Sequence, residues 1–232
     1  MFGAATSVDS ATFDAGLRSY MLSIYNYMAS GVLLTGLVAL LFARSGMAAE
    51  VFMGGGLLPW VLILSPLAIV FTMSFGQNRF SAGALQVMFW AFATLMGLSM
   101  STIFLVYTGE SIATTFFATA AAFAGLSLWG YTTKKDLSGW GSFLIMGVVG
   151  LIVASILNMF LQSSAMSWAI SAIGVLIFAG LTAYDTQKLK SIYAYVAGTD
   201  MMGKVVIMGA LNLYLDFINM FQFLLSFLGS QD

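Results

Sequence analysis

Cysteine and histidine are absent from this sequence, and each absence removes a class of chemistry. Without cysteine, the chain forms no disulfide and offers no thiolate nucleophile or iron–sulfur ligand. Without histidine, it has no Ser-His dyad, no His-ligated haem and no HExxH zinc site. Most intramembrane proteases and most redox proteins are therefore excluded, and we expect a protein that is not an enzyme and carries no cofactor.

Charged residues are also scarce. They make up 7% of the 232 residues, whereas an average soluble domain carries roughly a quarter. Hydrophobic residues make up 60%, and the mean hydropathy is +0.97. This small number of charged residues cannot cover the surface of a water-soluble globule. We therefore expect most of the surface to contact a lipid bilayer. The net charge of −1 excludes a basic surface that would bind nucleic acid.

Apolar stretches follow one another along the chain, and each is long enough for a membrane-spanning helix of about 20 residues. They are apolar on every face, which is not the alternation of a barrel strand. We predict an all-α polytopic membrane protein with an N-terminal segment at 1–19, a seven-helix domain at 20–228 and a C-terminal tail at 229–232. The predicted spans are 20–43, 51–75, 82–107, 111–131, 139–162, 165–186 and 204–228.

The second span holds both prolines of the chain, Pro59 and Pro66, which predict a kink there. The Gly54–Gly56 run is expected to loosen the start of the same span.

The basic residues predict the orientation, because Lys and Arg accumulate in cytoplasmic loops. Only Arg44 falls on one side of the seven-span arrangement. We therefore expect a cytoplasmic N-terminus and an external C-terminus at Asp232. The other seven bases fall on the opposite side: Arg18, Arg79, Lys134, Lys135, Lys188, Lys190 and Lys204.

A polar stripe runs along the seventh span. Asn212, Asp216 and Asn219 follow i, i+4, i+7 spacing, so they share one helix face. An ionisable side chain deep in a span costs roughly 2.5–3.5 kcal/mol on insertion scales, and for this reason Asp216 is interpreted as functional. The asparagines would line the same pore or cavity, or the stripe would hold the seventh helix to its neighbours.

Asp185 is the natural partner of Asp216, at the cytoplasmic end of the sixth span. Measured from the nearest lysines, Asp185 lies about 7–8 Å deep and Asp216 about 18 Å deep. The two meet only if the seventh helix begins some 10 Å outside the bilayer, which its length allows. An acid beside Lys188 and Lys190 could also be merely solvated.

Two carboxylates in contact cannot both ionise at low cost, so they would share a proton. A protonated pair can hydrogen-bond and hold two helices together, whereas loss of the proton creates repulsion and frees oxygen ligands. Ca²⁺ prefers such oxygens. Asp185 and Asp216 would therefore form a latch that responds to protons and binds Ca²⁺.

The residues around these acids resemble the transmembrane Bax-inhibitor-motif family. The resemblance is specific in Tyr184-Asp185-Thr186-Gln187 and in Leu213-Tyr214-Leu215-Asp216-Phe217-Ile218-Asn219, and it extends to Lys134-Lys135-Asp136-Leu137-Ser138. It implies six helices around a central seventh. It also implies that the two aspartates form a pH-sensitive pair controlling a Ca²⁺ leak, and that a bacterial member lies in the cytoplasmic membrane. Eukaryotic members lie in internal membranes and restrain cell death.

Some members of that family carry an acid and a base on the second helix that support the latch. Here that helix has neither, and Arg79 just beyond it is the candidate partner of Asp185, unless it is only a positive-inside anchor.

Three functions are carried forward from the sequence. The first is a pH-sensitive Ca²⁺ leak channel gated by Asp185 and Asp216. The second is a proton-coupled secondary transporter with Asp216 as the coupling carboxylate. The third is a regulator that transports nothing and binds other membrane proteins through its helices.

Overall fold

The computed structural model describes residues 3–230, with side chains described from residue 11. Residues 1, 2, 231 and 232 of the predicted terminal segments, including Asp232, lie outside this range. Over the described residues the chain is helical, in the order α1 (Gly3–Arg44), α2 (Met47–Met53), α3 (Leu58–Gly76), α4 (Ala82–Met100), α5 (Ile103–Val106), α6 (Gly109–Thr132), α7 (Ser138–Leu161), α8 (Ser164–Val196) and α9 (Met202–Leu228).

This part of the chain contains seven helices long and apolar enough to cross a membrane, which confirms the predicted all-α fold and its seven spans. The third span joins α4 to α5 through Ser101 and Thr102. The sixth and seventh spans are α8 and α9. The seven spans cover 11–44, 58–76, 82–106, 109–132, 138–161, 164–196 and 202–228.

The second span is shorter than predicted because the glycine run interrupts it. Gly55 and Gly56 have φ values of 75° and 92°, a left-handed conformation that glycine adopts without steric cost. They separate α2 from α3. Pro59 lies in the first turn of α3, where a proline displaces no hydrogen bond. The expectation that Pro59 kinks the span was therefore wrong, because it begins the helix.

Pro66 lies inside α3 and is buried. A proline cannot donate to the carbonyl four residues earlier. The Ser65 hydroxyl donates to that carbonyl, on Leu62, at 3.3 Å. The helix therefore continues through the proline to Gly76.

Two helices extend beyond their predicted spans and pack together. The 42 residues of α1 span about 63 Å, and the 33 residues of α8 span about 50 Å, so both exceed the ~30 Å hydrocarbon layer. Tyr193 on the extension of α8 packs against Phe13 at 5.0 Å and Tyr20 at 5.2 Å between ring centroids. This contact buries Tyr193 and Tyr20, so the protruding ends support each other.

The core lies along α9, where 67% of the spanning window is buried, compared with 11% for α7. The main contacts of α9 are with α8, α1, α6 and α4. Tyr214 is fully buried, and its hydroxyl pairs with that of Thr35 at 2.6 Å, while Thr35 donates to the Ala93 carbonyl at 2.8 Å. This polar bridge joins the first, third and seventh spans. That all six other spans surround α9 stays a prediction.

One end of the bundle holds the N-terminal end of α1, the α6–α7 loop and the α8–α9 turn. Lys190 there donates to the Tyr131 carbonyl at 2.8 Å, which ties α8 to the end of α6. We call this the basic end. The opposite end holds the α7–α8 turn and Ser230, whose amide donates to the Ser111 hydroxyl at 2.9 Å. We call this the outer end, in keeping with the predicted orientation.

Candidate functional site

The two aspartates lie at similar depth on neighbouring antiparallel helices. Asp185 lies eleven residues before Val196, the last residue of α8, and Asp216 lies fourteen residues after Met202, the first residue of α9. At 1.5 Å per residue, these are depths of about 17 and 21 Å from the basic end. The difference of about 4–5 Å is less than one helical turn.

The carboxyl groups of Asp185 and Asp216 are within hydrogen-bonding contact. Asp216 is 4% exposed, and Asp185 is half-buried. Within the described residues, Asp216 Oδ2 has no hydrogen-bond partner. A buried acid with a free oxygen is costly unless it is neutral or receives a ligand, so this arrangement can hold a proton or present oxygen atoms to a cation.

A cavity of about 640 Å³ borders the pair, between α7, α8 and α9, with Leu67 of α3 on its rim. Asp185, Asn212, Asp216 and Asn219 all line it. Asn219 donates to the Leu215 carbonyl at 2.7 Å, so its amide oxygen is available to the cavity. The polar stripe of α9 therefore faces this space.

Apolar packing closes the cavity toward the basic end. On α8 and α9, its lining residues nearest that end are Asp185 and Asn212. One turn further, buried Leu189 packs against Gly209, where a Cβ atom would lie 2.7 Å from Leu189 Cδ2. The aspartates therefore lie where the open cavity meets close packing of α8 on α9.

Lys188 is the base that acts on the Asp185 charge. Its ammonium group lies 5.8 Å from the centre of the Tyr184 ring. Arg79 is exposed in the turn after α3, and its pairing with Asp185 stays a prediction.

The residues beside Asp185 fasten α8 to its neighbours. The Gln187 side chain accepts from the Leu137 amide and donates to the Lys135 carbonyl, both at 2.8 Å. Thr186 pairs with Ser127 of α6 at 2.9 Å. These bonds explain why glutamine and threonine follow the aspartate, and they hold its backbone in place.

The α6–α7 loop is itself fixed by a local turn. The Asp136 carboxylate accepts from the Ser138 amide at 2.9 Å. Hydrogen bonds from the Ser138 side chain and amide lower the pKa of Asp136 below its usual value. The loop held by Gln187 is therefore ordered at the start of α7.

Sequence reasoning did not single out several residues of this site. Gln187 is recognised only as part of the motif around Asp185. Ser127, Ser155 and Phe223 are not recognised, because hydroxyl and aromatic side chains are common on spanning helices. Their spacing on a single helix carries no signal, and only the packing of α6, α7, α8 and α9 brings them to the aspartates.

Comparison with known proteins identifies the family of this chain. The family model described as "Inhibitor of apoptosis-promoting Bax1" matches residues 17–232. A protein of Caulobacter vibrioides is 49% identical over 93% of this chain and 90% of its own length. The inner membrane protein YbhL of Escherichia coli K12 is 45% identical over 94% of each chain.

A protein of Rickettsia prowazekii is 46% identical over 97% of this chain and 95% of its own length. The similarity thus extends over nearly the whole chain, and the range matched by the family model contains α8 and α9. The chain is a membrane protein that belongs to the Bax inhibitor family.

Proposed function

We propose that this protein is a pH-sensitive Ca²⁺ leak channel of the bacterial cytoplasmic membrane, gated by the Asp185–Asp216 pair. The observation that carries the proposal is the contact of the two carboxyl groups across α8 and α9, at the closed end of a cavity that both line. An interhelical acid pair at that position can couple proton occupancy to helix separation.

The gate follows from the charge of the pair. With one proton shared, the two carboxyl groups hydrogen-bond, and α8 stays against α9. Without it, two negative charges face each other in a poorly solvated space and repel. Lys188 acts on the charge of Asp185 from the basic end. Leu189 and Gly209 would then separate with the helices.

Ca²⁺ is the cargo in this proposal rather than a resident ion. It takes 6–8 oxygen ligands, and the cavity offers two carboxylates and the amides of Asn212 and Asn219. Within the described residues, no group of three or more acidic, histidine or cysteine side chains is placed to hold a metal. A passing ion would keep part of its water, and such a partial shell suits release as well as entry.

The location and orientation follow from the same features. Relatives such as YbhL, named as an inner membrane protein, support the cytoplasmic membrane, and the bases at one end support a cytoplasmic N-terminus. The partners are then the lipid bilayer, Ca²⁺ and protons. We propose no enzymatic reaction and no nucleic-acid partner.

A proton-coupled transporter is the second candidate. The observation that favours it is the buried Asp216 Oδ2 without a described partner, because buried carboxyl groups inside spans serve as proton relays in pumps and transporters. Uptake against a Ca²⁺ gradient, driven by a proton gradient, would distinguish it from a leak, which runs only downhill.

Reconstitution tests the proposal directly. The purified protein is placed in liposomes that hold a Ca²⁺ dye, and the influx rate is measured as external pH is varied. The proposal expects downhill influx that changes with pH. Asp216→Asn keeps size and hydrogen bonding but cannot lose a proton, so its influx should stay at the wild-type low-pH value at every pH.

Glu110→Gln is the matched control, since it makes the same change at an exposed acid in the first turn of α6. It should keep the wild-type profile. Absence of influx in the wild type, or an unchanged profile in Asp216→Asn, would overturn the gating role and leave the stripe on α9 as helix packing.

A further inference from the structure

A second cavity lies between the aspartate cavity and the outer end. It has a volume of about 420 Å³ and is formed by α7, α8 and α9. Six of its nine lining residues carry neutral hydroxyl or amide groups: Ser155, Asn158, Ser167, Ser171, Gln222 and Ser226. We call this space the outer vestibule.

The vestibule is a defined polar surface within the span region. Asn158 donates to the Ser167 hydroxyl at 2.6 Å, and Ser171 donates to the Ser226 hydroxyl at 3.0 Å. These bonds join α7 to α8 and α8 to α9. Polar side chains facing lipid would be costly, so their convergence on one space indicates that water reaches it.

The vestibule opens at the outer end. Asn158 lies four residues before Gln162, the C-cap of α7, and Ser226 lies three before Gly229, the C-cap of α9. These separations correspond to about 6 and 5 Å. A hydrated ion outside the membrane could therefore enter without crossing lipid.

Phe223 stands between the two cavities. It lines both, together with Met159 and Ser155. Its ring stacks on Phe178 with 5.9 Å between centroids. It also lies against Gly174, where a Cβ atom would be 2.6 Å from the Phe223 ring. The ring is thus held from two sides by α8.

The register places this aromatic pair directly outside the aspartate pair. Phe178 and Phe223 each lie seven residues from their aspartate, toward the outer end, on α8 and α9. Seven residues are two turns, or about 10 Å. An apolar ring pair of this kind blocks ions by excluding the water they carry.

We propose that Phe223 is the outer barrier of the ion path, separating a neutral polar vestibule that admits hydrated cations from the cavity of the two aspartates. This inference rests on the proposed function for the identity of the ion. The barrier itself limits how far water and solutes reach from the outer vestibule, and it can therefore be tested without measuring ion flux.

The test uses the absence of cysteine from the chain. A single cysteine is introduced as Asn219→Cys on the inner side of Phe223, or as Ser226→Cys in the vestibule. A charged, membrane-impermeant thiol reagent is then added to the outer face. We expect fast modification of the Ser226→Cys protein and slow modification of the Asn219→Cys protein.

Adding Phe223→Ala should make the Asn219→Cys protein react about tenfold faster, which corresponds to ~1.4 kcal/mol of barrier removed. Phe227→Ala is the matched control on the same helix. Phe227 packs against Trp168, with 5.0 Å between ring centroids, and is not among the lining residues of either cavity. It should leave the rate unchanged. Phe223→Leu keeps an apolar side chain and covers the case in which the alanine variant fails to fold.

Measurement of Ca²⁺ influx then tests whether this barrier limits the proposed channel. In liposomes, Phe223→Ala should raise Ca²⁺ influx while its dependence on pH is kept. Equal modification of the Asn219→Cys protein with and without Phe223→Ala would overturn the barrier, whatever the flux. Faster modification without any Ca²⁺ influx would support the barrier and contradict the proposed function.

Discussion

Asp185 and Asp216 can act together as a gate only if the protonation of each depends on the charge of the other. If they share a proton, removing either carboxylate destroys the same arrangement, so each single change to asparagine should have nearly the same effect on influx. The double variant should then add little. Independent acids would instead contribute separately, and their effects would add within about 0.3–0.5 kcal/mol.

The measurement compares Asp185→Asn, Asp216→Asn and the double variant at the alkaline end of the pH range. Each tenfold change in influx converts to ~1.4 kcal/mol. We expect a coupling energy above about 1 kcal/mol, because carboxylates in contact interact by more than a pK unit. Additive effects would mean that the contact has no functional role and would favour the transporter with Asp216 alone.

Asp136 gives a second prediction at the residue scale, outside the membrane-spanning segments. Its hydrogen bonds to Ser138 lower its pKa in the folded state. The resulting stabilisation is complete above the unfolded pKa of about 3.9 and is lost as pH falls through the folded pKa. Asp136→Ala should therefore lower the melting temperature near neutral pH, and this difference should vanish in acid.

Thermal unfolding in detergent across pH checks this expectation. Asp200→Ala, at an exposed acid in the α8–α9 turn, is the control and should show a smaller change. A melting-temperature difference for Asp136→Ala that persists at low pH would show that its charge is not what stabilises the loop.

The sequence could predict a residue of the site only where the side chain has a high free-energy cost inside the membrane. An acid inside an apolar helix is costly, so Asp216 stands out from the sequence, and Asp185 at the end of the preceding span is its natural partner. Gln187 and Phe223 carry no such cost. Gln187 acts through bonds to a loop fifty residues earlier, and Phe223 acts through a neighbouring helix, so neither role is encoded locally.

At the scale of the element, α8 shows why depth could not be inferred from charges. In the sequence, Lys188 and Lys190 indicate that the sixth span ends at residue 186, yet the helix continues to Val196. It continues because Leu189, Tyr193 and Val196 are buried against neighbouring helices. Packing outside the bilayer therefore lengthens the helix. With the correct end, the estimated depth difference between the aspartates of about 10 Å falls to about 4–5 Å.

The approach of α6 to α8 gives the prediction at this scale. Gly130 lies against the backbone of Ala183, two residues before Asp185, and an added Cβ would collide with the Ala183 carbonyl oxygen. Backbone cannot move aside as a side chain can. Gly130→Ala should therefore destabilise the protein by about 1–3 kcal/mol and displace the Asp185 carboxylate.

Gly125→Ala on the same helix is the matched control, because nothing lies within 4 Å of the added Cβ. Alanine favours a helix by roughly 0.5–1 kcal/mol over glycine, so this variant should be neutral or slightly more stable. Thermal unfolding of both proteins is the measurement. Equal stability of the two would contradict the close approach of α6 and α8.

At the scale of the molecule, the most buried spanning helix is the least hydropathic, and the least buried is the most hydropathic. The most buried spanning helix, α9, has the lowest mean hydropathy of the seven described spans, whereas α7, the least buried, has the highest. In a bilayer, lipid is the apolar solvent, so the helix that faces other helices and a polar cavity can carry the polar stripe. The count of spans follows from hydropathy alone, but the arrangement of the helices does not.

The bundle also predicts how the protein sits in its membrane. At the basic end, contacts made by Tyr193, Gln187 and Tyr131 hold together the elements that carry four of the bases. These bases are Arg18, Lys135, Lys188 and Lys190. Among the basic residues that the structure describes, Arg44 alone is placed at the other end, in the last turn of α1. Translocating seven bases would be opposed by the positive-inside bias, so the basic end should face the cytoplasm.

Single cysteines make this prediction testable, because the native chain has none. Asn78→Cys lies in the exposed turn beside Arg79, and Glu110→Cys lies at the exposed start of α6. On intact bacterial spheroplasts, an impermeant maleimide should label the Glu110→Cys protein and leave the Asn78→Cys protein unlabelled until the cells are lysed. The reverse pattern would place the basic end outside and make the vestibule an inner one. Labelling of both before lysis would mean that the third span, which alone separates the two positions, does not cross the membrane.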